Sequence, residues 1–168
     1  MRPLILEFPE DPAVTYLDRQ YMLGGDLLVA PVFSADGVVS YYVPAGRWTH
    51  YLSGDVVEGP GWVRETHDFS SVPLLARPGA VIPVGARQDR PDYDYRDGVT
   101  LRLFDPAPGR TAVIVPGPAG ADTVFTVEHD GAEIRIGRAG EALPWRVQLG
   151  TGVIELAADQ DSCTLTLG

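Results

Sequence analysis

The chain has 168 residues, 45% of them hydrophobic and 21% charged, with a formal net charge of -10. That charge excludes a nucleic-acid binder, because phosphate contacts need clustered Lys and Arg, and the lone cysteine, Cys163, excludes an internal disulfide. The 19 glycines and 15 prolines are dispersed along a chain long enough for one ordinary domain or two small ones, and predict many turns between short strands.

The first element is read from Leu4, Ile5, Leu6 and Phe8, an almost unbroken apolar run of the kind found in a strand buried on both faces. A Pro-Glu-Asp-Pro turn comes next, then a helix over 13–23, then a second apolar strand, Leu27-Leu-Val-Ala-Pro-Val32. Strand, loop, helix and strand make a β/α unit without neighbouring strands, so the chain reads as a piece of a larger α/β protein with an all-β region appended. Left without neighbours, the 4–8 strand is expected to pair with its copy in a second chain, carrying the helix along.

After Gly24-Gly25 the helical signal stops. Val38–Val43 and Arg47–Leu52 are rich in β-branched and aromatic residues, and Pro44-Ala-Gly46 between them predicts a hairpin turn. Gly59-Pro-Gly61 separates a short strand, Val56-Val-Glu58, from the alternating Trp62–Phe69. Strands over 72–77 and 80–84 complete the region. The 85–98 stretch is polar, with Arg87, Asp89, Arg90, Asp92, Asp94, Arg96 and Asp97, and reads as a boundary between two β-domains. Strands resume at 99–104, 111–115, 122–128, 132–136, 145–149 and 163–167, with Asp130-Gly131 as a hairpin turn.

Arg2-Pro-Leu4, Glu7-Phe-Pro-Glu-Asp-Pro12, the Tyr16–Gly24 stretch and Leu28-Val-Ala-Pro-Val-Phe33 resemble the end of the catalytic barrel in glycoside hydrolase family 31. Tyr42-Val-Pro-Ala-Gly-Arg-Trp48 and Val72–Pro83 are similar to the β-sandwich after that barrel, and Gln88-Asp-Arg-Pro-Asp-Tyr93 resembles its α-xylosidase branch. The resemblance implies a mainly β fold: residues 1–26 as the terminal strand and helix of a (β/α)8 barrel, 27–87 as a proximal β-domain and 88–168 as a distal β-sandwich. It also implies a parent retaining α-glycosidase acting on α-linked xylosyl or glucosyl units, with an Asp nucleophile, an Asp acid/base and no cofactor. This chain would then seal the barrel, support its loops and join subunits. Its partners would be the upstream barrel and, in the intact enzyme, an oligosaccharide, with homo-oligomers expected. No nucleic acid or membrane is expected as a partner, since no membrane-length apolar run is present, and cytoplasm is the default location. The competing class is a free-standing carbohydrate-binding module, which would not need the buried-type strand at 4–8.

Retaining hydrolysis needs two carboxylates about 5–5.5 Å apart; the resemblance implies a nucleophile in a segment of the Asp-x-Gly-Glu kind, and no such segment lies on a barrel-type strand here. Asp55-Val-Val-Glu58 is the nearest match and reads as a surface hairpin. Glu7, Glu10 and Asp11 lie at or after the end of the 4–8 strand, on the side where barrel enzymes place their sites, yet Asp11 before Pro12-Ala13 is a helix cap with Pro at the first helical position. Asp89, Asp92, Asp94 and Asp97-Gly98 lack calcium-loop spacing. His50, His67 and His129 lack a metal-ligand spacing, and Ser70-Ser71 lacks a nucleophile elbow. Trp48 and Trp62 are expected in the core. Of Trp145, Tyr41, Tyr42, Tyr51, Tyr93 and Tyr95, the linker pair Tyr93 and Tyr95 are the better candidates for exposed contacts. Cys163 is expected to be a buried strand thiol. The sequence therefore assigns no catalytic, cofactor-binding or metal-ligating residue to this chain.

Overall fold

The computed structural model describes residues 1–166, and the chain divides into two compact units, 1–80 and 81–168. The first unit carries a five-stranded antiparallel sheet in the order β1-β2-β5-β3-β4. Its strands are β1 (Tyr21–Leu23), β2 (Leu27–Val29), β3 (Val38–His50), β4 (Val56–Thr66) and β5 (Leu74–Ala76).

The opening of this unit differs from the sequence expectation. Residues 4–8 are not a strand: Leu4–Glu7 form a single α-helical turn, α1, after Pro3. Only Leu4 is buried, while Ile5 and Leu6 remain exposed. With one of the three aliphatic positions facing the core, a helical turn satisfies the backbone locally and the segment needs no strand neighbours. The expected 13–23 helix is likewise absent. Asp11 caps a 3-10 turn over Pro12–Val14, its carboxylate accepting from the Ala13 amide at 3.0 Å. Beyond it the chain extends, and Arg2 pairs with Met22 of β1 through both backbone bonds, 2.9 and 2.8 Å long. Residues 1–26 thus share one sheet and one core with the rest of the first unit.

Pro44-Ala-Gly46 is a bulge inside one 13-residue strand, not a hairpin turn. Three steps along β3, from Val43 to Gly46, oppose two along β4, from Gly61 to Gly59. The extra residue shifts the side-chain alternation, so Tyr41 and Trp48 both enter the core. Gly59 lies against this bulge, where a Cβ would stand 2.0 Å from the Pro44 carbonyl oxygen. The same residues make β4 continuous through Gly59-Pro60-Gly61, where two strands were expected.

The second unit is a sandwich of two four-stranded sheets, β12-β11-β7-β6 and β13-β10-β9-β8. The strands are β6 (Val81–Val84), β7 (Val99–Leu103), β8 (Gly109–Val115), β9 (Thr123–His129), β10 (Glu133–Ala139), β11 (Trp145–Leu149), β12 (Gly152–Leu156) and β13 (Ser162–Thr166). Inward side chains of both sheets form one core, among them Leu101, Val147, Phe125 and Ile136. The Phe125 and Trp145 rings meet across it at 5.2 Å. β7 and β11 run parallel, the one exception to antiparallel pairing among the described strands; the chain between them crosses to the other sheet and back, as a parallel pair requires. β6 pairs with β7 and lends Val81 to this core, so the division falls between Ala80 and Val81, ahead of the 87/88 boundary read from composition. Leu167, the end of the last expected strand, lies outside the described residues.

Candidate functional site

Two of the carboxylates singled out in the sequence, Glu7 and Asp11, hold the N-terminal segment to the sheet. Glu7 accepts from Arg77 at 2.8 Å and pairs with Arg2 at 3.0 Å. The Arg77 guanidinium lies over the Phe8 ring, 4.9 Å from its centroid, and Phe8 meets Trp48 edge-on at 6.2 Å. Asp11 uses its second oxygen to accept from the Tyr42 hydroxyl at 2.7 Å. Burial, reinforced by that bond, raises the Tyr42 phenol above its ordinary value. Gln20, to which no sequence pattern pointed, is buried beside Tyr42. Its amide donates to the Tyr42 carbonyl at 2.7 Å and accepts from the Tyr42 N–H at 2.8 Å. Gln20 thereby completes the edge of β3 where β5 does not reach, a strand neighbour's hydrogen bonds supplied by one side chain. Both carboxylates are engaged in fixing structure, and Glu10 is exposed on the turn beside them.

A second cluster joins the ends of β3 and β4. Glu65 bonds to His50 Nε2 at 3.0 Å and to His67 Nε2 at 2.9 Å. His67 Nδ1 lies 3.0 Å from the Ser71 hydroxyl. Burial, with the Glu65 charge behind it, pushes the Tyr41 phenol far above its usual value. Asp68 Oδ1 accepts from both the amide and the hydroxyl of Ser70, at 2.9 and 2.7 Å, and is held below the usual carboxylate range by those bonds. The loop so fixed presents Phe69 fully to solvent. A shallow pocket of about 280 Å3 opens beside the cluster, lined by His50, Ser53, Asp55, Glu65, Thr66 and His67. Among the described residues no group of three or more His, Cys, Asp or Glu could hold a metal ion.

The second unit has its polar groups in structural roles. Arg96, 5% exposed, forms two guanidinium bonds to Asp94 at 2.8 and 2.6 Å, reaches the Ala121 carbonyl at 2.7 Å and pairs with Glu141 at 2.9 Å. The polar 85–98 stretch is thus pinned to the sandwich rather than loose. Tyr93 packs on Gly85 and meets Tyr95 edge-on at 4.8 Å, while Tyr95 donates to the Pro91 carbonyl. Arg138 is buried with the Leu143 and Ala158 carbonyls and Asp161 as partners. His129 ends β9, and Cys163 is half-buried on β13, its thiol raised by burial.

Asp55 precedes β4, and Glu58 on that strand pairs with Arg47 at 3.4 Å, so this imitation of a catalytic segment is a surface feature of the sheet. Trp48 is 1% exposed, as expected, but Trp62 is 63% exposed. The alternation of β4 turns Val56, Glu58, Pro60, Trp62, Arg64 and Thr66 outward together, and the Trp62 ring meets Tyr42 edge-on at 5.9 Å. Leu6, Tyr16, Phe33 and Phe69 add further exposed apolar surface to this unit.

This arrangement, with engaged carboxylates, a pinned N-terminal segment and a sheet bearing exposed apolar residues, defines a β-sheet domain followed by a β-sandwich. Residues 1–82 match the glycosyl hydrolase family 31 C-terminal domain, and residues 94–167 match the C-terminal domain described as alpha-xylosidase YicI. The chain belongs to the C-terminal region of glycoside hydrolase family 31. It is 44% identical over 109 residues to an alpha-xylosidase of Emericella nidulans, covering 60% of this chain and 14% of that protein. It is 35% identical over 142 residues to alpha-xylosidase XylQ of Lactiplantibacillus pentosus, covering 83% and 18%. The chain thus spans less than a fifth of the length of these relatives. Among solved structures, the family 31 alpha-xylosidase of Xanthomonas citri shares the fold over 99% of this chain and 21% of its own, with a TM-score of 0.80 and 22% identity.

Proposed function

We propose that this chain is the non-catalytic C-terminal portion of a retaining α-glycosidase of the α-xylosidase type, and that its first unit braces the catalytic barrel. The observation that carries this reading is the exposed apolar surface of Ile5, Leu6, Tyr16, Phe33 and Phe69 on a unit whose core is already complete. Such surface on a folded unit marks a contact with other protein. Phe69, presented by a loop fixed through Asp68, His67 and Ser71, is a preformed anchor of the kind that carries docking energy. The carboxylates of this unit support the same reading, since Glu7 and Asp11 are held by arginines, an amide and a phenol instead of facing a pocket. Both α-xylosidases and α-glucosidases match the chain, and the α-xylosidase-type match of residues 94–167 sets xylosyl ahead of glucosyl units as the parent's substrate. Purified chain is expected to release no p-nitrophenol from p-nitrophenyl α-xyloside above a blank. Turnover that survives repurification would overturn the non-catalytic assignment.

A further inference from the structure

We infer that β4 is a self-pairing edge, through which two copies of this chain join their five-stranded sheets about a two-fold axis at Gly61. β4 is the outermost strand of its sheet and the longest free edge in the first unit, 11 residues from end to end. Its hydrogen-bonding phase is set by contacts just beyond each end of its ladder with β3. His67 N–H donates to the Gly37 carbonyl at 2.9 Å, and His50 N–H donates to the Asp55 carbonyl at 2.8 Å. The odd-numbered residues of β4 therefore bond to β3, and the backbone groups of Val56, Glu58, Trp62, Arg64 and Thr66, with the Pro60 carbonyl, face outward. The side chains of those same residues share the exposed face.

An antiparallel copy must set outward groups against outward groups, so the axis passes through one residue or steps by one along the strand. Centred on Gly61, Glu58 of each copy stands opposite Arg64 of the other, and Pro60 opposite Trp62. The opposite charges meet directly, and each exposed indole covers a proline ring. The Trp62 N–H finds the Pro60 carbonyl, so the missing proline N–H costs one bond per copy and no orphaned donor. Glycine at the axis leaves the opposite face open, with nothing within 4 Å of where its Cβ would be. Centring on Pro60 sets two prolines opposite each other, and centring on Trp62 sets Glu58 against Thr66; neither register pairs the charges. A strand of this length with one proline and, on its exposed face, one charge of each sign is weakly defended against pairing, and those charges are placed to select a register instead of preventing one.

The self-pairing edge involves β4 alone and uses none of the side chains assigned to the barrel contact, so either can fail without the other. The test is sedimentation equilibrium of the full chain and of Glu58→Arg and Arg64→Glu, with circular dichroism to confirm that each variant is folded. The parent chain is expected to be dimeric. Each single reversal sets like charges opposite each other twice and is expected to weaken association about tenfold or more. Mixing the two variants gives a pair in which every facing charge is opposite, and parental association returns. A monomeric parent, single variants that associate as the parent does, or a mixture no stronger than its components would each overturn the pairing.

Discussion

At the scale of single residues, the polar side chains of this molecule act mainly by completing backbone edges and holding loops. Gln20 is the sharpest case, because its amide alone satisfies the Tyr42 N–H and carbonyl. Gln20→Ala leaves two buried backbone groups unpaired and is expected to cost about 2–4 kcal/mol in urea unfolding of the first unit. An unchanged midpoint would show that solvent replaces the amide. Asp94 makes a pH-dependent contribution to the second unit. Hydrogen bonds from the Arg96 guanidinium, and then from its N–H, hold the Asp94 carboxyl below its ordinary value of 3.8. A lowered folded value means the carboxylate stabilises the fold at any pH above the ordinary value, and the contribution is lost as pH falls through the folded value. Asp94→Asn is therefore expected to lower stability at neutral pH and to flatten its decline below about pH 4. A parallel acid limb in parent and variant would contradict it.

At the scale of elements, the bulge of β3 decides which side chains reach the core. Gly59→Ala drives a Cβ into the Pro44 and Val43 carbonyls, which stand 2.0 and 2.7 Å from it. It is expected to cost more than about 2 kcal/mol, against about 3–5 kcal/mol for emptying the core with Trp48→Ala. Thermal unfolding followed by tryptophan fluorescence measures both; a neutral Gly59→Ala would show that the strands slide apart at no cost. The β-rich character, most strands of the second unit and the Asp130-Gly131 turn were legible in the sequence, because period-two alternation and turn residues carry those features locally. The opening was not. Leu4, Ile5 and Leu6 form an apolar run that fits a buried strand equally well, and only tertiary contact shows that one of them faces the core while two remain exposed. Pro44-Ala-Gly46 carries turn chemistry that serves a bulge as readily as a hairpin. Hydropathy alone places Trp62 in the core, although its parity along β4 with Glu58 and Arg64 points outward. Arg77 and Gln20 left no local signal, since their partners lie 70 and 22 residues away, and the bond from Glu65 to His50 spans 15 residues.

At the scale of the whole molecule, the position of β6 sets where the two units separate. Val81–Val84 pairs with β7 and supplies Val81 to the sandwich core, so a chain beginning at Val81 is expected to unfold in one cooperative transition. One beginning at Gln88 loses that strand and uncovers the edge of β7, and is expected to unfold at a lower temperature by several degrees, about 4–8 °C for each kcal/mol lost. Equal midpoints would return the boundary to the polar 85–98 stretch. The first unit acts, in the proposed function, as a brace for catalysis conducted elsewhere in the enzyme. The sharpest check on that role is the heat-inactivation midpoint of the intact enzyme carrying Leu6→Asp and Phe69→Asp, compared with kcat on an α-xyloside below the transition. A brace requires a midpoint lowered by several degrees, with kcat of the folded enzyme unchanged. An unshifted midpoint, or a kcat lost while the enzyme remains folded, would contradict it.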